Sequence, residues 1–226
     1  NISFFIQHIT YYIFATDILN KVINLSNKPY VIASGIYRTE EKLAEKIDDN
    51  KIHVVYAGTL CPNKGGAMNA IKMVEYLTEK HHVHILGYGT DEQVESVKKM
   101  IYQMNENSRA SVSYDGVLSG REFVIFLQKC DIGLAVQKTE GTFNATSFPS
   151  KILTYLSNGL DVLSTDIPAV SESGVGKMLY YCTSDNPKDI AKELLKINGS
   201  NLIEKKEVLK NLDKNLRFEM KELLCK

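Results

Sequence analysis

From Lys51 onward the chain alternates between two patterns. Short β-branched runs stop at a glycine or polar turn, and each is followed by a segment whose apolar residues recur at helical spacing. The runs are Ile52–Ala57, His82–Leu86, Ala110–Tyr114, Asp131–Val136, Asp161–Ser164 and Met178–Cys182. Behind the first run, Ala67, Ala70, Ile71, Val74 and Leu77 share one face of a helix. Further helices are expected over Asp91–Asn105 and Ser119–Cys130, from Pro149, and over Pro187–Ile197. Near-continuous apolar strands interleaved with amphipathic helices require a parallel sheet covered on both faces. Right-handed crossovers make such a sheet doubly wound, so the expected class is α/β and Rossmann-like. At 226 residues the chain is long enough to bury a substantial core.

That architecture says where a ligand should bind. In open parallel sheets it is beyond the carboxyl ends of the strands, where helix N-termini present amides. The strand-ending segments are Gly58-Thr59-Leu60, Gly87-Tyr88-Gly89, Asp115-Gly116-Val117 and the loop from Gln137 to Phe148. This loop is longer than the usual strand-to-helix connection, a length often associated with function. It leads into Ser147-Phe148-Pro149-Ser150-Lys151, where a proline and flanking serines are expected to leave helix amides free. Lys64-Gly65-Gly66 is expected to open the first helix in the same way. Two lysines and two helix starts at one edge make a cradle for a diphosphate. Taken singly, Lys64 and Lys151 also read as ordinary solvated lysines, and Gly87-Tyr88-Gly89 as a plain turn.

Composition removes several other classes. With 27 Lys+Arg against 27 Asp+Glu there is no net field to attract a nucleic-acid backbone. Cys61, Cys130, Cys182 and Cys225 are far apart, which suggests neither a zinc knuckle nor a disulfide framework and favours a reducing, cytoplasmic compartment. The first turn lacks G-x-G-x-x-G, so a nicotinamide-dependent dehydrogenase is disfavoured. His81, His82 and His84 sit at a strand entrance, away from the ligand edge, and are expected to be structural; His8 and His53 carry no assignment. Residues Ile2 to Leu19 are apolar but interrupted by Gln7, His8, Thr10, Thr16 and Asp17. They are expected to form a buried helix or strand, with a membrane-surface segment as the alternative. From Asn201 to Lys226 the spacing predicts one long amphipathic helix or two in succession, its charges on a solvated face.

The ordered set Tyr56-Ala57-Gly58-Thr59-Leu60 with Lys64-Gly65, His84-Ile85-Leu86-Gly87-Tyr88-Gly89, Tyr114-Asp115-Gly116-Val117, Phe148-Pro149-Ser150-Lys151-Ile152-Leu153-Thr154-Tyr155-Leu156 with Asn158-Gly159, and Val162-Leu163-Ser164-Thr165-Asp166 resembles the C-terminal, donor-binding half of family 4 GT-B glycosyltransferases. The resemblance covers about residues 50 to 197. It implies residues 1–49 as a remnant of an N-terminal acceptor domain with its linker, 50–200 as a nucleotide-sugar-binding domain, and 201–226 as a helix crossing back toward the N-terminal domain. It also implies a nucleotide-diphospho-sugar as substrate, retention at the anomeric carbon, no required metal or other cofactor, and a polysaccharide or lipid-linked acceptor. No D-x-D, the metal-holding pattern of the other large glycosyltransferase fold, occurs here. The implied location is cytoplasmic, with the inner face of the membrane and peripheral contact there as an alternative.

Residue by residue, the resemblance makes Lys64 the catalytic cation for the departing diphosphate. Donor-binding roles are implied for Gly58, Thr59, Lys64, Gly87, Tyr88, Gly116, Val117, Ser147, Ser150, Lys151 and Thr154. The sequence also departs from the family. Thr59 stands where many relatives carry Arg, and Thr146 and Thr154 stand where many carry two glutamates. Glu140, six residues before Thr146, is a weaker candidate for reaching the sugar. These departures motivate an alternative: a degenerate lobe that scaffolds an active transferase.

Overall fold

In the computed structural model, residues 8–138, 146–199 and 202–225 are described. Six parallel strands form the central sheet: β3 (Ile52–Thr59), β4 (His81–Tyr88), β5 (Ser111–Gly116), β6 (Ile132–Ala135), β7 (Asp161–Thr165) and β8 (Tyr180–Cys182). Their order is β5-β4-β3-β6-β7-β8. The first half therefore winds outward from β3 in one direction and the second from β6 in the other, which is the doubly wound arrangement with its switch point between β3 and β6.

Strand pleating divides the core into two layers. Val54, Tyr56, Val83, Ile85 and Leu134 face one side, under α2 (Gly66–Lys72), α3 (Asp91–Asn107) and α7 (Pro187–Leu194). Val55, Leu86, Ala135 and Val162 face the other, under α4 (Gly120–Lys129) and α5 (Lys151–Ser157). A short helix, α6 (Pro168–Ser171), follows β7. Local chemistry fixes the helix starts. Thr90 and Gln93 form a reciprocal capping box that begins α3, and Asn186 caps α7 by accepting from the Lys188 amide.

The residues before the sheet form a separate parallel pair, β1 (Tyr12–Phe14) with β2 (Tyr30–Ile32), joined by α1 (Asp17–Ile23). Thr16 caps α1 and donates its hydroxyl to the Thr146 carbonyl at 2.8 Å, tying this unit to the segment ahead of α5. Of the stretch from Ile2 to Leu19 expected to form a helix or strand, residues 2–7 lie outside the described residues, and the remainder holds the strand Tyr12–Phe14 and the start of the helix Asp17–Ile23.

The terminal segment is one helix, α8 (Leu202–Leu224). One expectation about it needs correction. Lys205 is not on a solvated face: it is 5% exposed, and its ammonium donates to Asp161 Oδ1 at 2.6 Å and to the Leu160 carbonyl at 3.0 Å. The ion pair pins α8 to the start of β7. Among the described residues no helix is long and apolar enough to cross a membrane.

The histidines form a polar seam at the amino end of the sheet. His53 Nδ1 lies 2.9 Å from His84 Nε2, while His53 Nε2 meets Asp49 at 3.0 Å and His84 Nδ1 meets Asp115 at 3.2 Å. His82 bridges Ser111 and Ser113, and burial followed by its histidine neighbours pushes its pKa down to about 4. Among the described residues no group of His, Cys, Asp or Glu is arranged to hold a metal ion.

Candidate functional site

The switch point opens because two neighbouring strands stop pairing. β3 and β4 stay in register to Thr59 and Tyr88, but β3 and β6 pair only at Val54–Ile132 and Val55–Gly133. Tyr155 of α5 fills the resulting gap. Its ring lies across Gly133, where a Cβ would sit 2.4 Å from the ring, and its hydroxyl accepts from the Ala57 amide at 2.8 Å. An amide that lost its strand partner is thereby satisfied from a helix. Tyr155 is fully buried, and burial raises the pKa of its phenol, so it remains a neutral wedge.

Two cavities lie beyond this wedge. The first, about 400 Å³, is lined by Tyr56, Gly58, Thr59, Asn63, Lys64, Ala135, Val136, Gln137, Pro149 and Lys151. Two lysines enter its wall from opposite sides of the switch point, and among the described residues no carboxylate does. Gln137 Nε2, in the same wall, is buried without a hydrogen-bond partner. The second cavity, about 320 Å³, is more apolar; Ala57, Leu86, Leu118, Phe123 and Tyr155 line it alongside Gly58, Gly87, Tyr88, Val117, Ser150, Lys151 and Thr154. Gly58 and Lys151 belong to both walls and form the waist between them.

Of the residues expected to hold a donor, Gly58, Thr59, Lys64 and Lys151 thus share the first cavity, and Gly58, Gly87, Tyr88, Val117, Ser150, Lys151 and Thr154 the second. Gly116 and Ser147 line neither. Gly116, at φ 76°, is the left-handed turn that carries the chain out of β5, which is a backbone role. Glu140 lies outside the described residues.

The helix starts also differ in detail from expectation. Lys64 closes a 3₁₀ turn, Pro62–Lys64; its amide donates to Cys61 and that of Gly65 to Pro62, so neither amide is free. Pro149 precedes α5 by two residues instead of sitting in its first turn, and no side chain caps that helix. Thr154 turns its hydroxyl back toward the Ser150 carbonyl, 3.4 Å away.

Sequence reasoning did not single out Tyr56, Tyr155 or Gln137. The Lys151 ammonium stands 4.0 Å above the Tyr56 ring, and the Tyr56 hydroxyl donates to the Thr59 carbonyl at 3.2 Å. Burial, and then the charge of Lys64, hold the Lys151 pKa down to about 7. Burial pushes the Tyr56 phenol up to about 12.

Against this geometry, residues 51–198 match the family model described as Glycosyl transferases group 1. The chain belongs to that family. No curated protein matches it. Solved structures share its fold at low identity. A glycosyltransferase from Rickettsia africae has 15% identity and a TM-score of 0.69, with 94% of this chain and 63% of that chain covered. AviGT4, a glycosyltransferase involved in avilamycin A biosynthesis, has 13% identity and a TM-score of 0.61, with 96% and 67% covered. Anabaena HepE, solved in complex with UDP and glucose, has 13% identity and a TM-score of 0.60, with 93% and 59% covered. The group 1 glycosyltransferase chain described here therefore spans about three fifths of the length of such structures. Its α/β, Rossmann-like sheet is the fold of GT-B glycosyltransferases.

Proposed function

We propose that the chain is the donor-binding lobe of a retaining, family 4 glycosyltransferase. In this reading it holds a nucleotide-diphospho-sugar and helps transfer a hexosyl group to a polysaccharide or lipid-linked acceptor. The observation that carries the reading is the first cavity, where Lys64 and Lys151 converge at the switch point in a wall that has no carboxylate among the described residues. A departing nucleoside diphosphate gains negative charge as the glycosidic bond breaks, and cations fixed beforehand at that place lower the barrier. Lys64 is the catalytic cation, Lys151 stands across from it, and no metal is needed. The second, more apolar cavity, bordered by Tyr88 and Val117, takes the base. UDP in the Anabaena structure supports a uridine nucleotide as the first to test. Residues 50–200 form the donor domain, 1–49 are a remnant of an acceptor-binding domain with its linker, 201–226 are a helix that runs from the donor domain back toward it, and the chain alone transfers no sugar. The reaction takes place in the cytoplasm.

Calorimetric titration with uridine, guanosine and adenosine diphosphates tests this. One of them should bind below millimolar concentration; failure of all three at that level contradicts the reading. Lys64→Ala should weaken the diphosphate about tenfold or more, the worth of one charge-assisted contact, and leave the free nucleoside unchanged. Equal loss for both contradicts the role of Lys64.

Thr59 and Thr154 favour a second reading, a degenerate lobe that scaffolds an active transferase. Thr59 brings no charge to the cradle, and the Thr154 hydroxyl is turned toward its own helix. Donor binding without transfer by the lobe joined to its acceptor domain, together with a requirement for it in a complex, would select this reading.

A further inference from the structure

Lys151 occupies the waist between the two cavities, yet among the described residues its ammonium has no hydrogen-bond acceptor and no carboxylate. Its one close partner is the Tyr56 ring, 4.0 Å away on β3. That ring cannot swing aside. Its hydroxyl is held by the Thr59 carbonyl, and its edge packs where a Cβ on Gly66 would stand 2.6 Å from it. Gly58 leaves the room the ammonium uses, since a Cβ there would lie 3.0 Å from Nζ.

The titratable groups around Lys151 are few. Tyr56 faces it from β3, Lys64 from the turn after β3, Tyr155 from its own helix, and Tyr88 from the end of β4 across the second cavity. Lys138, after β6, packs its stem near Gly65 beside Lys64. Tyr56 and Tyr155 stay neutral in the physiological range, so among the described residues no anion balances the ammonium. A desolvated cation next to a second cation favours release of its proton, and an arriving anion reverses that preference.

We propose that Tyr56 is the positioning residue for Lys151, and that entry of a nucleoside diphosphate draws a proton from solvent onto Lys151, so that the ligand is gripped by a cation charged on binding. The inference rests on reading the first cavity as a diphosphate site. Proton balance is simple: the neutral amine takes one proton from bulk water or buffer as the diphosphate binds and returns it when the diphosphate leaves. The aromatic face steadies the ammonium where both cavities meet. The empty cradle thus avoids two adjacent unpaired charges, and the loaded cradle has both.

The test is calorimetric titration of uridine, guanosine and adenosine diphosphates into the 226-residue chain at pH 8, in buffers of different ionisation enthalpy. At that pH the diphosphates are already ionised, since the second phosphate pKa is about 6. Binding should take up between about half a proton and one proton, and affinity should weaken toward about tenfold per pH unit above pH 8. Lys151→Arg should still bind but with uptake near zero, because a guanidinium is charged throughout. Tyr56→Phe, which keeps the aromatic face but loses the bond to Thr59, should bind the diphosphate more tightly than Tyr56→Leu. Tyr56→Leu should weaken the diphosphate about tenfold, in line with loss of a desolvated cation–π contact, and leave uridine affinity unchanged. Binding without proton uptake, uptake by Lys151→Arg equal to wild type, or equal weakening of diphosphate and nucleoside by Tyr56→Leu would overturn the proposal while leaving the site in place. Absence of binding by all three diphosphates would remove the site itself.

Discussion

Lys151 is expected to destabilise the ligand-free fold that carries it. Its ammonium sits against one aromatic face, with Lys64 nearby and no counter-ion among the described residues. Lys151→Met, which keeps the length and packs against Tyr56, should therefore raise the unfolding free energy of the ligand-free chain by about 1–3 kcal/mol near neutral pH. The same change should abolish tight diphosphate binding. Denaturant unfolding with and without ligand measures both, and a destabilised methionine variant would mean that the lysine is held by contacts other than those described. Lys64 and Lys151 were legible in the sequence because a lysine beside a strand end or helix start is visible as a pattern. Tyr56 and Tyr155 were not. An aromatic residue within an apolar run reads as core, and both are core; only distances show that one supports a cation and the other satisfies the Ala57 amide.

At the scale of elements, apolar periodicity and glycine punctuation placed all six strands of the main sheet within a few residues, most clearly the central ones, which are buried on both faces. The splay between β3 and β6 had no such signal. It arises from Gly133, whose missing side chain admits the Tyr155 ring, and a glycine in a strand does not announce what crosses it. The terminal helix shows the opposite case, a signal that was present and misread. Leu202, Lys205, Leu209, Leu212 and Leu216 follow one helical stripe, so Lys205 lies among the apolar positions and not opposite them. A lysine there must find a buried partner, and Asp161 supplies it at 2.6 Å. Lys205→Ala should then cost about 3–5 kcal/mol, because it leaves a buried carboxylate without its cation. Replacing Lys205 and Asp161 together with apolar residues should recover most of that loss. Urea unfolding of the single and double variants checks both values; a single variant within about 0.5 kcal/mol of wild type would show that the pair does not anchor α8.

The whole molecule combines a parallel sheet whose winding reverses between β3 and β6, a crevice at that switch point, and two lysines that reach the crevice from different halves of the sheet. The fold class followed from the alternation of elements alone. The meeting of Lys64 and Lys151, 87 positions apart in the chain, was expected from the rule that ligands bind beyond the carboxyl ends of parallel strands, and the adjacency of β3 and β6 is what brings it about. What the crevice selects is decided by loop shape and by side chains such as Tyr88 and Val117, whose identities carry little pattern. The central claim, that this crevice receives a diphosphate, is tested most directly by a crystal structure of the chain grown with uridine diphosphate. Both phosphates should lie between the Gly58-Thr59 end of β3 and the start of α5, with the Lys64 and Lys151 ammonium groups on either side. Phosphates bound elsewhere, for example in the cavity that Asp17, Glu172 and Glu219 line between α1 and α8, would contradict it.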